Sequence, residues 1–170
     1  GNGVQGNLDT ISFMQDVAKK ESLNPKVREF ALHILSLYNT TSHNYLDECM
    51  AIGDFVKNHV PYVRDPSTSE LLQSPIMMIE QLETRGVSYG DCDDMTLLIA
   101  CLIISMGGEP YFRAVRYSNN FGHYNQIYIV VKDRNLRDNK DMRVAIDAIM
   151  KDESIGYEVP HASGDDFGIV

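Results

Sequence analysis

The sequence predicts an α+β fold: helices first, then a central buried helix packed on an antiparallel sheet, in one domain over residues 1–170. Two observations carry that reading. Up to Met106, apolar residues recur at three- and four-residue spacing, the period of a helix with one buried face. From Pro110 the period drops to two, and turn-forming residues separate short β-branched runs. Helical segments followed by strands is the α+β order. The 170 residues suffice for one proper core, and 44% hydrophobic with 23% charged residues is a soluble globular balance.

The elements follow in order. A helical part spans about 8–85, the central helix and sheet about 90–150, and a surface tail 151–170. Asp9 or Thr10 can cap a first helix with Ile11, Met14, Val17 and Ala18 on one face. Asn24-Pro25 supplies an N-cap and first-turn proline for a second, whose stripe is Val27, Phe30, Ala31, Ile34, Leu35 and Tyr38. A third carries Leu46, Cys49, Met50, Ile52, Phe55 and Val56 and ends near Asn58. Asp65 to Ser69 is a turn cluster, and Ser74-Pro75 starts a helix with Met78, Ile79 and Leu82. From Cys92 to Met106 nearly every helical face is apolar, which places that helix in the centre; Gly107-Gly108 ends it. Pro110–Tyr117, His123–Val131 and Arg143–Ile149 read as strands, with a polar run from Asp133 to Asp141 between the last two. The acidic, Gly-rich tail is expected on the surface.

Composition excludes several functions. The net charge of −9, with no basic cluster, argues against a nucleic-acid surface, which needs Lys and Arg against phosphates. No apolar run reaches the roughly 18 residues a membrane span needs. Three cysteines cannot close a disulfide framework, which points to a reducing compartment, or at least to a fold that does not depend on disulfides. No cofactor is implied. A protein or peptide substrate is the expected partner.

The chemistry concentrates at Ser88-Tyr89-Gly90-Asp91-Cys92-Asp93-Asp94. A glycine-containing loop leads into a cysteine at the first turn of a buried helix. Unpaired backbone N–H groups and the helix dipole favour the thiolate there, and the same N–H groups can hold an oxyanion. Gly90 leaves room for a substrate carbonyl. The neighbouring aspartates oppose ionisation unless they cap the helix, so a cationic partner is needed. Cys49 and Cys101 sit on apolar helical faces and read as inert core. A metal or phosphotransfer site on Asp91, Asp93 and Asp94 is the rival reading. It lacks the apolar strand an aspartate nucleophile follows and the spaced oxygen ligands of a calcium loop.

His123 follows a glycine loop and, with period two, shares a face with Asn125, Ile127, Ile129 and Val131. Taken alone such a histidine is more often structural. Asp147 lies inside Val144-Ala-Ile-Asp-Ala-Ile-Met, where a buried carboxylate needs a hydrogen-bonding partner. A histidine on the adjacent strand is a natural one. His33, His43 and His59 fall on helices, and His161 in the tail is the one replacement base.

The motif order Gly90-Asp-Cys92-Asp-Asp, apolar helix, Gly107-Gly108, Tyr111-Phe-Arg-Ala-Val, His123 and Asp147 resembles the transglutaminase-like superfamily, with its papain-like core. Ala51 to Pro66 and Leu72-Gln73-Ser74-Pro75 make it most similar to small transglutaminase-like proteins encoded by phages and prophages. The resemblance covers roughly residues 25–150. It implies Cys92 as nucleophile, His123 as general base and acid, and Asp147 as orienting acid. It also implies an intracellular bacterial, prophage-encoded or virion-associated setting. The chain has no tryptophan, so a tryptophan-based stabiliser is absent; Tyr62, Gln73, Tyr89 or the Gly90 approach are the candidates for oxyanion or substrate positioning. The expected function is hydrolysis of amide (peptide or isopeptide) bonds through a thioester. The alternatives are a non-catalytic phage-related structural or binding module on the same fold, or an amine-accepting transglutaminase.

Overall fold

The computed structural model describes residues 4–40, 44–64, 72–134 and 142–170. The turn expected over 65–69, His43 and most of the polar run after Asp133 lie outside the described residues. Five helices, α1 (Val4–Glu21), α2 (Pro25–Tyr38), α3 (Tyr45–His59), α4 (Pro75–Arg85) and α5 (Cys92–Ser105), precede four strands. The strands are β1 (Tyr111–Arg116), β2 (Gln126–Lys132), β3 (Arg143–Ile146) and β4 (Ser163–Gly168). The fold is α+β, as the change of period required.

Local chemistry sets the helix starts. The Asn24 side chain accepts from the Lys26 N–H at 2.9 Å, with Pro25 at N1; Ser74 accepts from Met77 N–H ahead of Pro75. The first helix differs from expectation: it begins at Val4, so Asp9 and Thr10 are interior residues rather than caps. No proline interrupts Gln5-Gly6-Asn7-Leu8, and packing of Ile11, Met14 and Ala18 into the core holds the helix across them.

α5 is the centre. Asp94 through Ile103 are all buried, and the helix packs against α1, α2, α3, α4 and β2. Leu97, Leu98, Ile99, Leu102 and Ile103 are at most 1% exposed. Each contributes about 1.5–3 kcal/mol of burial as an upper estimate. Gly107 ends the helix at φ +84, a left-handed conformation a side chain would strain.

The sheet is antiparallel throughout, in the order β3-β2-β1-β4. Ile127, Ile129 and Val131 of β2 face the helices, while Tyr128 and Val130 join Val115, Ala145 and Val159 in a second cluster on the opposite face. Burial on both faces explains why Ile127–Val131 is an unbroken apolar run. The Thr96 hydroxyl donates to the Ile127 carbonyl at 3.0 Å and ties α5 to β2.

Two expectations are corrected here. The tail is not merely surface: Ser163–Gly168 forms β4 along β1, and Val159 and Ile169 are buried. Sequence alternation is weak in Ser-Gly-Asp-Asp-Phe-Gly, and only pairing with β1 makes it a strand. The strand expected from His123 begins instead at Gln126. The Asn125 side chain accepts the Tyr117 N–H at 2.8 Å while its own N–H donates to Val115 O at 2.8 Å. This closes the hairpin before His123 can join the ladder.

Candidate active site

Cys92 is the first residue of α5, delivered there by a capping box. The Asp91 carboxylate accepts from the Asp93 and Asp94 N–H groups, and the Asp94 carboxylate accepts from Asp91 N–H. Two aspartates of the rival metal reading are thus engaged in starting the helix. Asp94 also accepts from the Gln73 backbone and side-chain amides at 2.9 and 3.2 Å. This arrangement itself demands a glycine at position 90. A Cβ there would lie 2.8 Å from Asp94 Cβ. Gly90→Ala is expected to cost about 1–3 kcal/mol through overpacking of the cap, read as a lowered urea midpoint at unchanged m-value.

The surroundings of Cys92 oppose its ionisation. Burial pushes Cys92 well above its ordinary value, and Asp93 and Asp91 add to that; the Ile127 N–H at the sulfur works the other way. Its S–H donates toward Asp93 Oδ1 at 3.5 Å. The helix terminus favours a thiolate by at most ~2 kcal/mol. Burial and the carboxylates win.

Asp147 lies just past β3 and is buried, as a carboxylate in an apolar run needs a partner to be. Its partner is Gln126: the Gln126 Nε2 donates to Asp147 Oδ2 at 2.7 Å, and the Ile149 N–H donates to Oδ1 at 3.0 Å. The Tyr117 hydroxyl donates in turn to Gln126 Oε1 at 2.5 Å. The result is a continuous chain, Tyr117–Gln126–Asp147. Register explains it. Tyr128 and Gln126 share one face of β2, and Ile129 pairs with Ile146, so Asp147 is a diagonal neighbour of Gln126.

His123 is exposed in the loop before β2, with its ring 5.7 Å from that of Phe121. Among the described residues it makes no hydrogen bond to Cys92 or Asp147. Its neighbours are anchored. The Tyr124 N–H donates to Asn7 Oδ1 at 2.8 Å, the Tyr124 hydroxyl to Asp165 at 2.6 Å, and Asn125 closes the hairpin. His161 contacts the Val159 carbonyl through Nδ1 at 2.9 Å, and His59 stacks on Phe55.

A pocket of about 190 Å³ opens at the cysteine. Cys92, Asp93, Asn125, Gln126, Ile127 and, from α1, Asn7 and Thr10 are among its walls. Of the other proposed positioning residues, Gln73 spends its amide on the Tyr89 carbonyl at 2.6 Å and on Asp94. Tyr62 and Tyr89 are half-exposed, and Tyr62 bridges to Gly90. Sequence reasoning missed Gln126, Tyr117 and the α1 wall. The signal for Gln126 was available: it is a polar residue heading the fully apolar run Ile127–Val131, the criterion that His123 met only with three residues intervening.

No family model matches this chain, and neither does any curated protein. Among solved structures, Legionella pneumophila LapG is similar to it at 14% identity and a TM-score of 0.47, over 83% of this chain and 74% of that one. EGTA-treated L. pneumophila LapG gives the same identity and score over 72% of its length.

Proposed function

We propose that the Cys92 pocket is an acyl-transfer-type site of transglutaminase-like, phage-related character that recognises an amide-bearing protein or peptide and, as this chain stands, binds it without cleaving it. The observation that supports this reading is the Gln126–Asp147 bond. An amide can hold a carboxylate, but it cannot accept a proton from a thiol in water near neutrality. Asp147 is so engaged, and burial pushes the Cys92 thiol up, which opposes ionisation of the nucleophile. Asn7, Thr10 and Asn125 line the pocket with polar groups, beside the apolar Ile11, Met14 and Ala114.

Hydrolysis by Cys92, His123 and Asp147 is the second reading. It is favoured by the setting of Cys92, at a capped helix head with the Ile127 N–H on its sulfur. It requires His123 to take Asp147 from Gln126. Amine transfer would require the same base.

The test is digestion of fluorescein-labelled casein, alone and with monodansylcadaverine. Wild-type protein is expected to release or incorporate no more label than Cys92→Ala. Cleavage by wild type that Cys92→Ala and His123→Ala both abolish would establish the second reading. Label incorporation with the same dependence would establish amine transfer. For binding, titration of wild type with an N-acetyl dipeptide amide is expected to shift the amide resonances of Asp93 and Ile127. Unmoved resonances would remove the binding reading.

A further inference from the structure

We propose that the first two turns of α1 are a lid over the Cys92 pocket. They unwind when the helix shortens from its start at Val4 to a second start at Asp9 or Thr10, and a peptide reaches the sulfur through that opening. The proposal rests on reading the Cys92 pocket as a peptide site.

α1 supplies one wall of the pocket through Asn7, Thr10, Ile11 and Met14, while α5 and β2 supply Cys92, Asp93 and Ile127. The space is about 190 Å³, against ~300–1,000 Å³ for ordinary ligand pockets. A peptide with residues on both sides of its amide needs more room, so a wall has to move. α5 is buried over residues 94–103 and β2 is an inner strand, so that wall is α1.

The anchoring of α1 is uneven. Its second half is fixed: Ile11, Met14 and Ala18 are at most 4% exposed, and Gln15 Nε2 donates to the Gly168 carbonyl at 2.7 Å. The Glu21 carboxylate accepts the Ile76 N–H at 3.1 Å. In the first half Asp9 is exposed, and Asn7, Leu8 and Thr10 are half-buried. That half is tied to the loop before β2 through Asn7 Oδ1, which accepts the Tyr124 N–H at 2.8 Å. Gly6, Asn7, Asp9 and Thr10 are poor helix formers, and the first turn holds no acidic residue to complement the helix dipole.

The chain also carries a second start. Asp9 or Thr10 can cap a helix whose first turns lead into Ile11 and Met14, residues the core already holds. Unwinding residues 4–8 therefore exchanges a weak helix end for a capped one and leaves the buried stripe in place. Two helix starts on one buried stripe make the bistable element a lid requires.

Alkylation of Cys92 by iodoacetamide at pH 8.5 reads the opening, with the fully buried Cys49 and Cys101 as internal references. Thr10→Pro selects the short helix. In the long helix a proline at 10 has no N–H for the carbonyl four residues back and clashes with it. In the short one it is the favoured first residue after an Asp9 cap. The same order stands at Asn24-Pro25 and Ser74-Pro75. Thr10→Pro is expected to label Cys92 at least about tenfold faster than wild type, with Cys49 and Cys101 unchanged. Asp9→Ala, which weakens the short helix's cap and improves the long one, is expected to slow Cys92 about threefold. The pH midpoint of labelling should be the same in all three proteins, because access changes and ionisation does not.

A folded Thr10→Pro protein that labels at the wild-type rate overturns the lid. So does a rise shared by all three cysteines, a shifted pH midpoint, or an Asp9→Ala protein as fast as wild type. If Thr10→Pro does not fold, hydrogen exchange of the wild type decides. Amides 8–11 are expected to exchange at least about tenfold faster than amides 15–18, and equal protection overturns the lid. The lid and the binding reading fail separately. Unmoved Asp93 and Ile127 resonances on peptide titration remove the binding reading, whereas the labelling rates are read without peptide.

Discussion

Replacing Phe112 with alanine is expected to cost about 3–5 kcal/mol of stability. Phe112 is fully buried in β1, paired with Ile129 of β2 and Phe167 of β4, and belongs to the core between sheet and helices. Its position in an inner strand leaves little room for collapse into the void. Most of the lost transfer energy and the cavity term should therefore be felt. Leu32→Ala, on the exposed face of α2, is the control and should stay within about 0.5 kcal/mol. Urea unfolding of the three proteins checks this; equal midpoints would contradict the packing described. The effect reaches the site, because β1 leads directly into Tyr117 and the loop that closes on β2.

The second large effect is expected at Arg113→Met. The Arg113 guanidinium donates through Nε to Asp166 Oδ1 at 2.7 Å and through Nη1 to Glu158 Oε2 at 2.8 Å. Asp166 also pairs with Arg143, and Glu158 accepts from the Tyr128 hydroxyl. This network lies on the sheet face away from α5 and holds residues after β3 against it. Breaking a fully buried pair costs about 3–5 kcal/mol; these side chains are 18–32% exposed, so about 2 kcal/mol is expected here. The sign with pH is definite. The side-chain bonds from Arg113, Arg143 and Tyr128 outweigh burial and hold Asp166 and Glu158 below the usual carboxylate range. Their folded values lie below the unfolded ones, so their contribution is present above the unfolded range and lost as pH falls through the folded values. Wild type should lose stability through that acid window. Arg113→Met should start lower and show a flatter acid limb, and parallel limbs would count against the network.

How much of this was legible in the sequence depends on the range of the interaction involved. Caps are local: Asn24, Ser74 and Asp91 could be read because a side chain and an N–H two or three residues away decide them. The central place of α5 was legible because an apolar surface on every face has no other stable position. Cys92 at its head followed from the same boundary. β4 was not legible, since Ser163–Gly168 has no periodic pattern and becomes a strand only against β1. Nor was the fate of Gln73, which serves the Asp94 cap from 21 residues away, a separation the sequence pattern does not encode.

The partner of Asp147 shows the division most clearly. By itself the sequence determined an α+β chain with a cysteine at the head of a buried helix and a carboxylate in an apolar run that must find a partner. Which side chain that partner is depended on where the hairpin closes and on the β2–β3 register. A shift of one residue in a strand moves a side chain to the other face. Only the tertiary structure decides that, and it places Gln126 against Asp147 and leaves His123 in the loop.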